Sequence, residues 1–508
     1  MLPGLKTEIV DRAVYERAVA HITQRRIVLP TFAQLADPSW QPPSLRQALA
    51  ALAGRADDAP QANDAGPATD PRQLLRIHWY NGADGSLRSV PEYLQLPAAL
   101  TGVQAPIFVV LARHFPLIGA HKVLPAYAAL VSRLVTGQFD PTQQRAVWPS
   151  TGNYCRGGVA VSRLLGCRGV AVLPAGMSAE RFAWLARWVS DPSDVIATPG
   201  SESNVKEIYD ACRVLAADSR NVVLNQFAEF ANYLSHRSCT GPALAQVIEA
   251  ARRQQPGLRL RGFVAGTGSA GTLAAGDWLK ERYGTCIAAL EALECPTLLE
   301  NGFGEHNIQG IGDKHVPLIH NAMNTDFVIG VSDRASDQLF CLFQSAIGRD
   351  TLADRHQVSP DLLTQLSTLG LSGLANVVGA IKLARTLRLT ADEAVITVAT
   401  DSAALYQSEI DRICRRDFRG TFDALDAAEV FGRHILGASP DATLQLGEAE
   451  RRRIFNLGYF TWVEQQGVAL DDFVARRSQT FWRDLQSHVA AWDAQITDFN
   501  QRTGARLS

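Results

Sequence analysis

From residue 107 to residue 414 short apolar runs alternate with amphipathic stretches, and that alternation does most to narrow the folds open to this chain. The runs at 107–111, 146–149, 170–173, 195–198, 222–224, 258–265, 327–331 and 394–399 have the length and apolar content of buried strands. Between them, residues 124–135, 159–165, 202–215, 272–283 and 374–387 carry helical periodicity. Strands alternating with helices on this scale predict an α/β fold with mostly parallel sheets flanked by helices. Ligands in such folds bind beyond the C-terminal ends of the strands. No internal repeat is present.

Composition narrows the function. The chain has 508 residues, 46% hydrophobic and 20% charged, enough to bury a large core. Its 49 basic and 51 acidic side chains leave a net charge of −2, so neither a nucleic acid nor an anionic membrane surface is an expected partner. No apolar run reaches the roughly 18 residues of a membrane-spanning helix. The opening MLPGLKTEIVDRAVYER places charges where a signal peptide needs an apolar stretch, so a cytoplasmic location is expected. The eight cysteines are scattered without a CxxC pair and read as free thiols in a reducing compartment. No metal site is expected.

Residues 1–72 read as an extension, with a helix over 10–24 and a Pro/Ala/Asp-rich stretch over 54–71 that looks like a flexible linker. After residue 414 the predicted strands stop. Helical stretches over 448–466 and 478–500 follow, with Phe481, Trp482, Trp492 and Phe499 at helical spacing, read as packing or subunit contacts.

Only six of the 49 basic residues are lysines: Lys6, Lys122, Lys206, Lys280, Lys314 and Lys382. Arginine cannot supply a free amine, so any lysine-dependent chemistry has six candidates. Lys206, Lys280 and Lys382 fall within predicted helices and Lys6 in the N-terminal arm. Lys122 follows an apolar strand and starts a helix, where desolvation would favour the neutral amine that forms imines. Lys314, in a loop after Gly312, is its rival.

The segment LRLRGFVAGTGSAGTLAAGDWLKERYG, residues 258–284, is a strand, a glycine turn and a helix in succession. Gly266, Gly268 and Gly271 free the backbone, and the N–H groups at the start of the helix form an anion cradle with the hydroxyls of Ser269 and Thr272. Phosphate binding is the leading reading. The same spacing satisfies GxGxxG, so an NAD-dependent oxidoreductase is a second reading. Against it, the turn is not on the first strand, and only Glu291 of AALEALE (residues 288–294) stands where an acid should hold the ribose.

Four further segments, in order along the chain with the glycine turn, carry a resemblance, and a fifth extends it. They are FPLIGAHKVLPAY (115–127), STGNYCRGGVAVSRLLG (150–166), LNQFAEFANYLSHRSCTGP (224–242), HNIQGIG (306–312) and GLSGLANVVGAIKLAR (370–385). Together they resemble the fold-type II pyridoxal-phosphate enzymes, most closely the cysteine synthase and cystathionine β-synthase branch. The resemblance implies a two-domain fold of the tryptophan synthase β type. A larger coenzyme domain would comprise 73–119 and 236–415, and a smaller mobile one 120–235. A helical extension, 416–508, would follow.

The same resemblance implies roles. Lys122 would hold the coenzyme as a Schiff base. Gly268, Ser269, Ala270, Gly271 and Thr272 would bind its phosphate, with Ala270 standing where the family has glycine. Asn153 would meet the 3′-oxygen of the ring. Ser372 would face the pyridine nitrogen, a place Thr400 or Ser402 could also take. Ser150, Thr151, Gly152, Asn153 and Tyr154 would form the substrate loop, with Tyr154 replacing a small residue. Gln226 would add a carboxylate contact, and Gly310 and Gly312 would line the cleft. His121 and His306 read as structural.

The expected activity is pyridoxal 5′-phosphate chemistry at Cβ of a small amino acid through an aminoacrylate. β-Replacement on an activated serine or cysteine, by a thiol or other small nucleophile, is favoured over β-elimination. A homodimer is implied. A catalytically silent scaffold is the reading from a different class.

Overall fold

The computed structural model describes residues 2, 4–41, 43–53 and 67–505. Most of the predicted linker, 54–66, therefore lies outside the described residues. The strands are β1 (Tyr93–Leu96), β2 (Ile107–Leu111), β3 (Arg145–Pro149), β4 (Arg168–Pro174), β5 (Val195–Thr198), β6 (Asn221–Val223), β7 (Arg259–Gly266), β8 (Cys286–Ala292), β9 (Phe327–Val331), β10 (Glu393–Ala399) and β11 (Thr443–Gln445).

They form two sheets. The smaller has the order β5-β4-β3-β6 and is parallel throughout. The larger has the order β1-β2-β10-β7-β8-β9-β11, parallel in its interior, with β1 and β11 antiparallel at its edges. β2 and β9 are buried at every residue, and β4, β8 and β10 at every residue but the first. Strands covered on both faces need continuous apolar runs, which is why the sequence shows them so plainly.

Three strands were absent from the sequence reading. β1 is an edge strand of four residues with alternating burial. β8 is alanine-rich and ends around Glu291, a composition that does not announce a strand. β11 corrects the expectation that strands stop after residue 414: its three residues, none of them buried, pair with Phe327–Ile329, too short a run to show periodicity. Two helices begin earlier than predicted. Asn153–Leu164 contains Gly157 and Gly158, whose low helix propensity hid its first turns. Leu371–Thr386 starts three residues before 374.

The terminal extensions pack against each other and against the helix Val123–Val135. Tyr15 meets Phe499 edge-on at 5.6 Å, and the Phe32 N–H donates to Asp493 at 2.6 Å. The Tyr127 hydroxyl donates to the Pro30 carbonyl at 2.6 Å, and the Val10 N–H to the Thr136 carbonyl at 2.9 Å. Both termini thus brace the helix that Lys122 begins. Trp482, Trp492 and Phe499 are buried within the chain, so their helical spacing reflects internal packing. Among the described residues no helix is long and apolar enough to cross a membrane.

Candidate active site

A cleft opens at the C-terminal ends of the strands of both sheets. Its walls include His121, Lys122, Ser150, Thr151, Asn153, Tyr154, Gln226, Phe227, Gly268, Ser269, Gly310, Gly312 and Thr400. These come from six separate stretches of the chain, which the two parallel sheets bring together. Lys122 is the N-cap of the helix Val123–Val135. Its Nζ donates to Ser269 Oγ at 2.8 Å and to Gln226 Oε1 at 3.1 Å. Among the described residues no carboxylate pairs with it. Burial pulls its pKa down to about 8, against a smaller opposing pull from Glu202. Near neutrality a useful fraction of this amine is therefore unprotonated. The rival Lys314 has no place in this cleft.

Opposite Lys122 lies the turn between β7 and the helix Leu273–Tyr283. Ser269 Oγ accepts from Lys122, from Asn232 Nδ2 at 3.0 Å and, at 3.4 Å, from the Gly271 N–H. A Cβ on Gly271 would stand 2.1 Å from Asn232 Oδ1, so only glycine lets the turn approach. Asn232 Oδ1 itself is buried without a partner. Asn232 escaped the sequence reading, although it ends the QFAEFAN run that Gln226 begins. Ala270 takes the left-handed conformation at φ 61°, a geometry that costs an alanine about 1–2 kcal/mol more than a glycine. Thr272 Oγ1 pairs with His121 Nε2 at 3.1 Å, while His121 Nδ1 meets the Thr400 carbonyl at 3.1 Å. Burial drives the His121 pKa down to about 3. That ring is a neutral spacer, as expected.

The wall formed by residues 150–154 is different. Ser150 Oγ accepts from the Gly152 N–H at 2.9 Å, shaping the turn that starts the helix Asn153–Leu164. Asn153 Nδ2 donates to Asp401 Oδ2 at 2.7 Å, and its Oδ1 accepts from Arg156 Nη1 at 3.0 Å. Asp401 also accepts from the Tyr406 hydroxyl at 2.5 Å and lies 3.8 Å from Arg181 Nη2. Arg181 is fully buried, donates to Tyr406 at 2.9 Å and also to Gln309, and packs its Nε where a Cβ on Gly152 would lie 2.5 Å away. Tyr154 lies under the loop with its hydroxyl buried and unpaired, its ring edge-on to Trp148 at 5.4 Å.

At the far end Ser372 is the second residue of the helix Leu371–Thr386, not its N-cap, and its Oγ pairs with Thr400 Oγ1 at 2.8 Å. Of the alternatives considered for the pyridine nitrogen, Thr400 therefore stands beside Ser372. Ser402 is a bridge partner of Leu369. His306 is buried with its pKa down at about 4, and its Nδ1 accepts from the Ile308 N–H at 3.1 Å, a structural arrangement.

The residues fit a pyridoxal-phosphate group. A lysine with a depressed pKa, a turn with no room for a side chain at Gly271, an unpaired buried amide oxygen and a pair of neutral hydroxyls converge on one cleft. A dinucleotide fits less well. Glu291 is not free for a ribose: its two oxygens accept from the Leu298 and Leu299 N–H groups at 2.9 and 2.8 Å.

Residues 91–339 match the family described as pyridoxal-phosphate dependent enzymes. Within that family the likeness runs to cysteine synthases. The chain is 28% identical over 246 residues to cysteine synthase B of Campylobacter jejuni, covering 48% of this chain and 71% of the relative. It is 28% identical over 217 residues to a probable cysteine synthase of Bacillus subtilis, covering 42% and 67%. The solved O-acetylserine-dependent cystathionine β-synthase of Helicobacter pylori shares the fold, with a TM-score of 0.50 and 22% identity over 62% of this chain and 94% of that one.

Proposed function

We propose that this protein is a pyridoxal-phosphate enzyme acting at Cβ of a small amino acid, with β-replacement by a thiol as its main reaction. The observation that carries the reading is Lys122 Nζ, held between Ser269 and Gln226 with no counter-charge in contact among the described residues. When bound, the coenzyme draws electrons away from the substrate Cα, which acidifies its proton and loosens a group on Cβ.

The chain's own residues do the rest. Lys122 would hold the coenzyme, and its freed Nζ would take the Cα proton as general base. Gly268 to Thr272 present N–H groups and hydroxyls to the phosphate, at the start of the helix Leu273–Tyr283. Ser150, the Thr151 N–H and Gly152 wrap the substrate carboxylate. Asn153, held by Asp401 and Arg156, presents the loop's first helical turn to the ring. Ser372 and Thr400 offer neutral hydroxyls to the ring nitrogen, which leaves it less electron-withdrawing than an aspartate would. That favours expulsion of a β-substituent over prolonged storage of charge. Residues 120–235 act as the smaller body that closes on the carboxylate, and the enzyme works as a homodimer in the cytoplasm.

The test is spectroscopic. The purified, coenzyme-loaded protein should show a visible absorption that shifts when O-acetyl-L-serine is added and recovers when a thiol is consumed. No visible band, or no response to any of a broad panel of amino acids, would overturn the reading in favour of a silent scaffold.

A further inference from the structure

Glu202 lies in the turn between β5 and the helix Val205–Ala216 and is 1% exposed. Its carboxyl faces the Thr151 hydroxyl and the Gly310 N–H, and both those residues line the Lys122 cleft. The carboxyl thus sits directly behind the cleft wall, between the substrate loop and the glycine loop. Its Oε2 is buried without a hydrogen-bond partner. A carboxyl placed only to brace a turn normally has both oxygens satisfied, so this orphan atom points to a role with a proton on it.

The charged and titratable groups facing Glu202 are Arg181 from the helix Ala179–Trp188, Asp401 and Tyr406 from the segment after β10, and Lys122. Arg181 is already engaged by Tyr406, Gln309 and Asp401. Burial therefore prevails over the arginine's attraction, and Glu202 is pushed up to about 7. A carboxyl poised there exchanges protons readily in both directions at neutral pH.

We infer that Glu202, acting through the Thr151 hydroxyl, supplies the proton a departing β-substituent needs and takes back the one an incoming thiol releases. This rests on the function proposed above. As the bond from Cβ to the leaving group breaks, the leaving group keeps the electron pair and takes the Thr151 hydroxyl proton, and Glu202 passes its own proton to the Thr151 oxygen. Glu202 is left as a carboxylate. When the thiol sulfur bonds to Cβ, its proton returns through Thr151 to Glu202, so the residue ends the cycle as it began. Glu202 is thus a positioning residue for a proton, with Thr151 the group that meets substrate.

The test compares the coenzyme-loaded wild type with Glu202→Gln and Glu202→Asp, using L-serine, whose hydroxide must be protonated to leave, and O-acetyl-L-serine, whose acetate need not be. Glu202→Gln should lose on the order of 100-fold more kcat with serine than with O-acetylserine. The limb of the serine pH profile near 7 should disappear, and Glu202→Asp should restore part of the loss. In the coenzyme-free protein, the infrared difference between wild type and Glu202→Gln should contain a protonated-carboxyl band that fades as pH rises through about 7. Equal losses with both substrates, no loss with either, a wild type that uses O-acetylserine but never serine, or no such band would overturn the inference. The wild-type response to O-acetylserine alone decides the function, so the two failures are told apart.

Discussion

The wall of the cleft built by the glycine turn carries hydroxyls, amides and one lysine, whereas the wall behind the substrate loop buries Arg156, Arg181, Glu202 and Asp401 side by side. The first is local: Gly266 to Thr272 are consecutive, with Lys122 and Asn232 reaching Ser269 and His121 reaching Thr272 from elsewhere. The second is assembled from five distant stretches and leaves Arg156 Nε, Arg181 Nε, Glu202 Oε2, Gln309 Nε2 and Asp401 Oδ1 without partners. A neutral cradle suits a group that is bound and kept. A buried charge cluster is costly to assemble and is readily disturbed, which suits the side of the site that must respond to each substrate.

The comparison can be broken at the charged wall first. Asp401→Ala leaves Arg181 fully buried beside an empty site, and removing one partner of such a pair costs about 3–5 kcal/mol. A large fall in the denaturation midpoint is expected, together with loss of substrate-induced spectral change, because Asn153 loses its anchor. An unchanged midpoint would show that Asp401 does not hold the cluster together.

The neutral wall is sharpened by pH. Lys122 ionises near 8 because burial disfavours its charged form, so the rate at which the coenzyme-free protein captures pyridoxal phosphate should rise about tenfold per pH unit below 8 and level off above it. A rate still climbing at pH 10 would mean a solvated lysine. The smallest effect belongs to Ala270→Gly. Relief of the left-handed alanine outweighs the added freedom of the unfolded chain, so thermal denaturation should show a gain of up to about 1 kcal/mol. A loss would show that the methyl group packs usefully against the turn.

The two walls also differ in how far the sequence revealed them. Eight strands stood out as short apolar runs, most plainly β2, β4, β9 and β10, where burial on both faces demands them, while β1, β8 and β11 were hidden by an edge position, an alanine-rich composition and a length of three residues. The neutral wall was legible because a glycine turn writes its geometry into consecutive residues, and because lysine is scarce in this chain. Arg181 and Glu202 gave no signal. Each is an ordinary charged residue near the start of a helix, and only the tertiary fold shows that it is buried and which residues it meets. Asp401 directly follows Thr400, which was singled out, yet nothing local marks its bond to Asn153, 248 residues away.

The central claim is that one amine carries the coenzyme. Treating the loaded protein with borohydride, digesting it and sequencing the labelled peptide by mass spectrometry tests it directly. A single reduced pyridoxyl group on Lys122, missing from Lys122→Ala, is the predicted result. Label on Lys314 or spread over several lysines, or a visible band that persists in Lys122→Ala, would contradict the account.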